Sequence, residues 1–337
     1  MNHDTRTPLP LAHLAAARPR VLSAAQLRAH GISPAQAAAR TRPGGTWQTL
    51  LPGVYLLHRS AATSEERLHG ALLYAGRPAA EPQSGSAPPY GAAMVTGFAA
   101  LVLHRFASVP PLSALEHIDV LVPAARRLRS TGCARIVRTR ETPRPLEITG
   151  LPVAPVARAL ADAVARLTDG DTVRRLLREA VHGGHCEPAA VLAELSRARL
   201  LGRPPVASAV DALLAEGRAA AEERLYEMVR EHGLPDPVWN VDLQIPDGSP
   251  LGVVDAYWPD HAVAVELNTL SPRHDEGPVW AEQVRKRERL EELGITVVHL
   301  TPRALRESPY QQATVVRTAL MAATGHDPGA YVVVLPR

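Results

Sequence analysis

The sequence predicts a multi-domain chain of mixed α+β and α/β character, and three observations carry that expectation. Its 337 residues exceed the usual size of one domain. Hydrophobic residues make up 46% of it, enough for real cores. The element pattern also changes along the chain. Short helices and a hairpin come first, then mixed strands and helices, then a helix, a meander of strands, a helix and a strand around one sheet. The expected divisions are 1–62, a middle domain 63–204 with a flexible Pro/Ser/Gly/Ala insertion at 76–92, an α/β domain 210–310, and a C-terminal extension 311–337.

At the N-terminus, Pro10–Ala17 carries Leu11 and Leu14 at helical spacing. Ser23 with Gln26, and Ser33 with Gln36, are capping-box patterns, the second with Pro34 at the first helical position. Gly31 stops the first of these helices, so two short helices meet across a tight turn in helix-turn-helix fashion. Strands Trp47–Leu51 and Val54–His58, joined by Pro52-Gly53, form the hairpin of a wing.

Thr63 and Glu66 cap a helix that runs through Tyr74. Helix Val95–Arg105, strands His117–Val122 and Ala134–Thr139, and helices Val153–Arg166, Thr172–His182 and Pro188–Ala198 follow, with Leu201–Pro205 as a linker. The last third predicts a helix from Ala219 to His232 and strands Val238–Ile245, Leu251–Tyr257 and Ala262–Leu267, the first two joined at Pro246–Ser249. A charged helix Val279–Leu293 then leads to strand Ile295–Leu300.

Composition excludes several classes. Cys133 and Cys186 give neither metal-ligand spacing nor a disulfide framework, which suits a reducing cytoplasm. Met1–Pro10 lacks the form of a signal peptide, and no stretch approaches the ~20 apolar residues of a membrane span. The expected localisation is cytoplasmic, with no membrane partner. His182-Gly-Gly-His185-Cys186 reads as a helix C-cap rather than a zinc site. No phosphate-binding loop, dinucleotide fingerprint or nucleophile elbow is present. The formal net charge of +3 does not by itself point to nucleic acid, and an aromatic content of 4% argues against a stacking platform for single strands. Of 37 Lys+Arg residues only Lys286 is lysine, an arginine bias typical of GC-rich bacterial genomes. That bias weakens arginine counting and singles out Lys286.

Two constellations suggest DNA. On the second short helix, Gln36 and Arg40 are candidate readers of base edges, while Arg42, Thr46 and Gln48 lie where a wing meets phosphate. Seven arginines fall within Arg126–Arg144 against one acid, Glu141. Arg138 and Arg140 share a strand face with apolar Ile136, so the segment reads either as a second phosphate-binding face or as a solvated edge. The second constellation is acidic: Asp255 and Glu266 lie on adjacent strands, with Glu222 on the preceding helix as a third oxygen ligand. Converging carboxylates of this kind bind Mg²⁺ for phosphodiester cleavage.

The run Trp47-Gln-Thr-Leu-Leu-Pro-Gly-Val-Tyr55, with His117–Pro123 and Gly150–Asp162, resembles AbiEi-type antitoxins of type IV toxin–antitoxin systems over roughly residues 5–200. That resemblance implies a winged helix, DNA binding, autoregulation of a promoter and no catalysis in this part. Glu222, Val253–Pro259 and Val263–Asn268, then Arg285-Lys286 and Leu290–Val298, resemble the PD-(D/E)xK endonuclease fold. More narrowly they resemble Vsr-like nuclease domains joined to AbiEi-like N-termini in actinobacteria. This implies Mg²⁺ on Glu222, Asp255 and Glu266, a catalytic role for Asp255 and Glu266, and His274 near the metal-bound water. The sequence departs from the pattern at Asn268, where lysine or aspartate is usual, and at Gln283, where a companion acid is usual. Lys286 is the candidate to supply the displaced basic role. The alternative expectation is a non-catalytic antitoxin or repressor, bound to DNA or to a toxin, with a vestigial nuclease fold.

Overall fold

A computed structural model describes residues 20–76, 90–268, 278–323 and 332–336. The expected helix at Pro10–Ala17, most of the insertion at 76–92, and His274 lie outside the described residues. Among those described, eleven α-helices and thirteen strands form three sheets in a mixed α/β chain. The chain divides into two compact units, 1–209 and 210–337. No helix among the described residues is long and apolar enough to cross a membrane.

In the first unit, β1 (Val21–Ser23), β2 (Gln48–Leu51) and β3 (Val54–Leu56) form a small antiparallel sheet in the order β1-β3-β2. Helices Ala24–Ala29 and Pro34–Thr41 lie between β1 and β2 in the chain. Both begin on complete capping boxes: Ser23 and Ser33 accept from the N–H of Gln26 and Gln36, whose side chains accept from the capping residues' own N–H groups. Each box satisfies two orphan donors, which lets helices this short persist. Leu27, Ile32, Ala37 and Leu57 form their common core. Thr63 and Glu66 build a third box at the head of helix Ser64–Ala75.

The second sheet of this unit contains β4 (Met94–Val95), β5 (Ile118–Pro123), β6 (Ala134–Thr139), β7 (Leu146–Ile148) and β8 (Leu151–Val153), in the order β6-β5-β4-β8-β7. The β7–β8 hairpin and the two-residue β4 were not expected from the sequence, because segments of two or three residues are too short to show periodicity. Buried polar pairs tie the layers together. Thr96 Oγ1 donates to Asp162 Oδ2 at 2.6 Å, and Arg158 forms a two-bonded ion pair with the same carboxylate. Gly97 sits at φ +61, and a Cβ there would come within 2.6 Å of Asp119 Oδ2.

The second unit carries one five-stranded sheet: β9 (Val238–Gln244), β10 (Pro250–Trp258), β11 (Val263–Leu267), β12 (Thr296–Leu300) and β13 (Val333–Pro336), in the order β12-β11-β10-β9-β13. β9, β10 and β11 are an antiparallel meander, and β12 runs parallel to β11 after the crossover helix Pro278–Glu292. Residues Ala221–Val229 of the long helix Pro204–Glu231, with Ala313, Val316 and Leu320 of helix Pro309–Ala323, pack with Ala256, Val265 and Leu267. Leu290 of the crossover helix packs with Val241, Leu243, Val254 and Ala264 in a separate cluster. The sheet is therefore covered on both faces, and β11 alternates between the two clusters with period two.

Two expectations need correction here. The segment expected as linker and short helix is one helix of 28 residues, beginning at Pro204. Glu222 is accordingly deep within it rather than near its start. Gly217 and the weakly amphipathic alanine-rich stretch before it conceal the helix from a periodicity reading, yet alanine is the strongest helix former. The expected C-terminal extension belongs to the second unit, since β13 pairs antiparallel with β9 and completes the sheet.

Gly97→Ala should destabilise the first unit by on the order of 2 kcal/mol, combining left-handed strain with the clash against Asp119. Urea denaturation of the two proteins would check this, and equal midpoints would refute it.

Candidate functional site

Arg218, Glu222, Asn240, Val253, Asp255, Glu266, Leu267 and Lys286 line a cavity of about 470 Å³ within the second unit. Arg218 and Glu222 come from the long helix, Asp255 from β10, Glu266 from β11 and Lys286 from the crossover helix. Helices from two layers and strands of the sheet thus contribute to one concavity.

A local switch in the strands sits beside the site. Val254 packs in the Leu290 cluster, whereas Ala256, two residues on, packs in the opposite one. In regular strand geometry these two would share a face. Its neighbour β9 does the same across Asn240, with Trp239 and Val241 on opposite faces. Asn240 has φ +48, a left-handed conformation that Asn tolerates better than most residues. The register places Val254 opposite Val241 and Ala256 opposite Trp239, so Asp255 and Asn240 occupy the switch between them. Both side chains line the cavity.

Asp255 is 6% exposed. Its Oδ2 accepts from the Leu267 N–H at 2.7 Å, and its Oδ1 pairs with Arg218 Nη2 at 2.5 Å. Burial raises its pKa above the ordinary 3.8; the Leu267 N–H and Arg218 act against the rise, and the charges of Glu222 and Glu266 add to it. Arg218 Nε also donates to Glu222 Oε1 at 2.9 Å. Lys286 Nζ lies 2.5 Å from Glu266 Oε1 and donates to the Val253 carbonyl. Glu266 Oε1 is buried without a directed hydrogen bond, so its contact with Lys286 is an ion pair. His299, opposite Glu266 in the β11–β12 register, brings Nδ1 within 3.5 Å of Oε2.

Lys286 reaches this position across a glycine. Gly252 has φ +119, and a Cβ there would lie 2.8 Å from Lys286 Cε and 3.0 Å from Cδ. A side chain at 252 would occupy the path of the lysine stem.

The structure therefore brings together Glu222, Asp255, Glu266 and Lys286, four of the acidic-site residues expected from the sequence. Asn268 donates its backbone N–H to Leu300 O at 2.7 Å, at the end of β11. The side chain of Gln283 lies outside the described residues. Sequence reasoning missed Arg218, Asn240, Gly252 and His299. Arg218 stands one turn before Glu222, the spacing of an i,i+4 pair, and was legible once the helix was extended.

Among the described residues, no group of three or more His, Cys, Asp and Glu is arranged to hold a metal ion. The donors themselves are three hard carboxylates around one cavity, the chemistry that suits Mg²⁺. Glu266 Oε1 already meets a cation, the Lys286 ammonium at 2.5 Å. The donor types are those of a Mg²⁺ site, while in this structure Arg218 and Lys286 are paired with their oxygens.

The basic candidates are arranged otherwise. Arg40 lays its guanidinium over the Trp47 ring, 4.9 Å from the centroid. Gln36 commits its carbonyl oxygen to the Ser33 cap, and Arg42 is exposed at the end of the same helix. Gln48 donates to the carbonyls of His58 and Ser60, which makes it a brace of the hairpin rather than a phosphate ligand. Arg138 donates to the carbonyls of Arg126 and Leu128, holding its own loop, while Arg140 is exposed. Phe106 stacks on His185 at 4.4 Å, and burial pushes the Cys186 thiol up to about 11. Compared with known proteins, the chain matches no family model and no curated protein.

Two predictions follow from this geometry. Gly252→Ala should cost about 1–3 kcal/mol of stability and displace Lys286 from Glu266. Because Lys286 is the only lysine, its ¹⁵Nζ resonance is unique, and it should move toward that of a solvated lysine in the variant. An unmoved resonance would separate Gly252 from the lysine's placement. The second concerns Asp255. A carboxyl whose native pKa is raised favours folding while protonated; this contribution is complete below 3.8 and lost as pH rises through the native value. The stability of Asp255→Asn relative to the wild type should therefore improve from about pH 4 to pH 7. Urea unfolding across that range reads the trend, and a flat or opposite one contradicts it.

Proposed function

We propose that this chain is a DNA-binding protein whose second unit is a PD-(D/E)xK-type, Vsr-like endonuclease domain that cleaves phosphodiesters with Mg²⁺. The observation that carries the reading is the convergence of Glu222, Asp255, Glu266 and the sole lysine, Lys286, on one cavity. It is supported by the element order around them: helix, three-stranded meander, crossover helix, parallel strand.

Glu222, Asp255 and Glu266 would hold the metal, which when bound stabilises phosphate charge and acidifies water. Asp255, fixed by the Leu267 N–H, keeps one oxygen aimed by the backbone whatever occupies the cavity. Lys286 places a compact ammonium beside Glu266, in the basic position that Asn268 cannot fill. His299, beside the second oxygen of Glu266, is placed to exchange a proton there.

The first sheet with its two capped helices supports a winged-helix reading for the N-terminus, with helix Pro34–Thr41 as the DNA-reading element. Arg42, at the end of that helix, is exposed for phosphate, as is Arg140 after β6 of the second sheet; Arg40 reaches a base only by leaving Trp47. The protein cations already seated among the carboxylates favour a second reading, a non-catalytic antitoxin or repressor with a nuclease-like fold.

Nicking of supercoiled plasmid with Mg²⁺ or Mn²⁺ separates the two. Asp255→Ala and Glu266→Ala should each lower the nicking rate at least ~100-fold, with duplex binding unchanged. Lys286→Arg should lower the rate about 10-fold or more, because a planar guanidinium replaces the point charge. Duplex binding without nicking at any metal concentration would establish the second reading.

A further inference from the structure

The guanidinium of Arg218 stands between two carboxylates that the proposed reaction needs. Nε donates to Glu222 Oε1 at 2.9 Å and Nη2 contacts Asp255 Oδ1 at 2.5 Å. Lys286 pairs with the third carboxylate, Glu266, and with the Val253 carbonyl. The three acids are thus matched by two protein cations, and the one between Glu222 and Asp255 takes up the oxygens a divalent ion would draw together.

The two partners differ in freedom. The Asp255 side chain is 7% exposed and anchored by a backbone N–H, whereas the Arg218 side chain, midway along its helix, is 46% exposed. Glu222, one turn further on, is 27% exposed. If the pair opens, Arg218 is the side that moves. A planar guanidinium binds carboxylate and phosphate with the same two-pronged geometry, so a phosphodiester is a natural second partner for it. Mg²⁺ and guanidinium cannot share the same lone pairs, since the ion requires oxygen at about 2.0–2.1 Å in near-octahedral order.

We propose that Arg218 is an internal counter-cation that closes the Glu222–Asp255 pair to divalent ions, and that transfer of its guanidinium to a substrate phosphate opens the pair. Metal entry is then coupled to DNA, and the DNA-free protein is held inactive. This rests on the nuclease reading above. It differs from a permanent structural ion pair, which would lose stability and bind no metal when Arg218 is removed.

The test is calorimetric titration of the full-length protein with MnCl₂ alone. Arg218→Met and Arg218→Gln remove the charge, the second keeping a hydrogen-bonding group should the first fold poorly; Arg218→Lys retains the charge. Both neutral variants should bind Mn²⁺ at least ~10-fold more tightly than the wild type, and Asp255→Asn added to either should abolish that binding. Arg218→Lys should remain close to the wild type. A phosphorothioate duplex should tighten Mn²⁺ binding to the wild type and leave the affinity of the neutral variants unchanged. Equal Mn²⁺ affinity in wild type and neutral variants, removed from both by Asp255→Asn, would overturn the gate and leave the metal site standing. Absence of Mn²⁺ binding in every variant, with and without duplex, would overturn the nuclease reading together with the gate.

Discussion

A carboxylate buried at the junction of a sheet and two helical layers must be compensated, and the architecture of the second unit is arranged around Asp255. Leaving such a charge unpaired would cost several kcal/mol, so each of its oxygens meets a donor, one from the backbone and one from Arg218. Even so its pKa stays raised, first by burial itself, with the charges of Glu222 and Glu266 in the same cavity adding to it. A fold selected only for stability would place an apolar side chain here. Instead the strands on either side give up regular geometry, with Asn240 in the left-handed region and the faces of β9 and β10 exchanged at the site. Strain of this kind persists where the surrounding structure fixes it, and it concentrates at sites with a chemical task.

The same constraint explains Lys286. In a chain whose other basic residues are all arginine, its only lysine lies along Gly252 and ends between Glu266 and the Val253 carbonyl. A guanidinium is broader and planar and would not follow that path with the same contacts. Lysine at 286 and glycine at 252 are a matched pair separated by 34 residues in the chain, joined by one narrow passage over β10.

The first unit works by different means. Its short helices rely on three reciprocal capping boxes, and its second sheet is tied to the following helix by the Thr96–Asp162–Arg158 cluster. Many of its arginines are engaged internally: Arg138 with loop carbonyls, Arg40 with Trp47, Arg158 with Asp162, Arg67 with the carbonyls of Leu115 and Glu116. Within the Arg126–Arg144 segment, Arg126, Arg135 and Arg138 also make internal contacts, with Ala75 O, Asp119 and the carbonyls of Arg126 and Leu128.

Local signals were legible in the sequence. The capping boxes, the Pro52-Gly53 hairpin, the Ala134–Thr139 strand and the β9–β10–β11 meander all announce themselves through residues within a few positions of one another. The carboxylates and Lys286 were legible as candidates because acids on adjacent strands and a solitary lysine are visible in the one-dimensional pattern. What only the tertiary structure decided is who meets whom. Arg218 joins the site because 37 residues of chain fold back to bring it to Asp255. His299 joins it through the parallel register of β11 and β12, and β13 closes the sheet beyond a segment that carries no periodic signal of its own. Gln48 and Arg138, candidates for phosphate contact from their position, bond instead to carbonyls of their own hairpin and loop. Short-range hydrogen bonds are written in residue spacing; ion pairs and strand registers depend on chain closure over tens of residues, and spacing alone does not encode them.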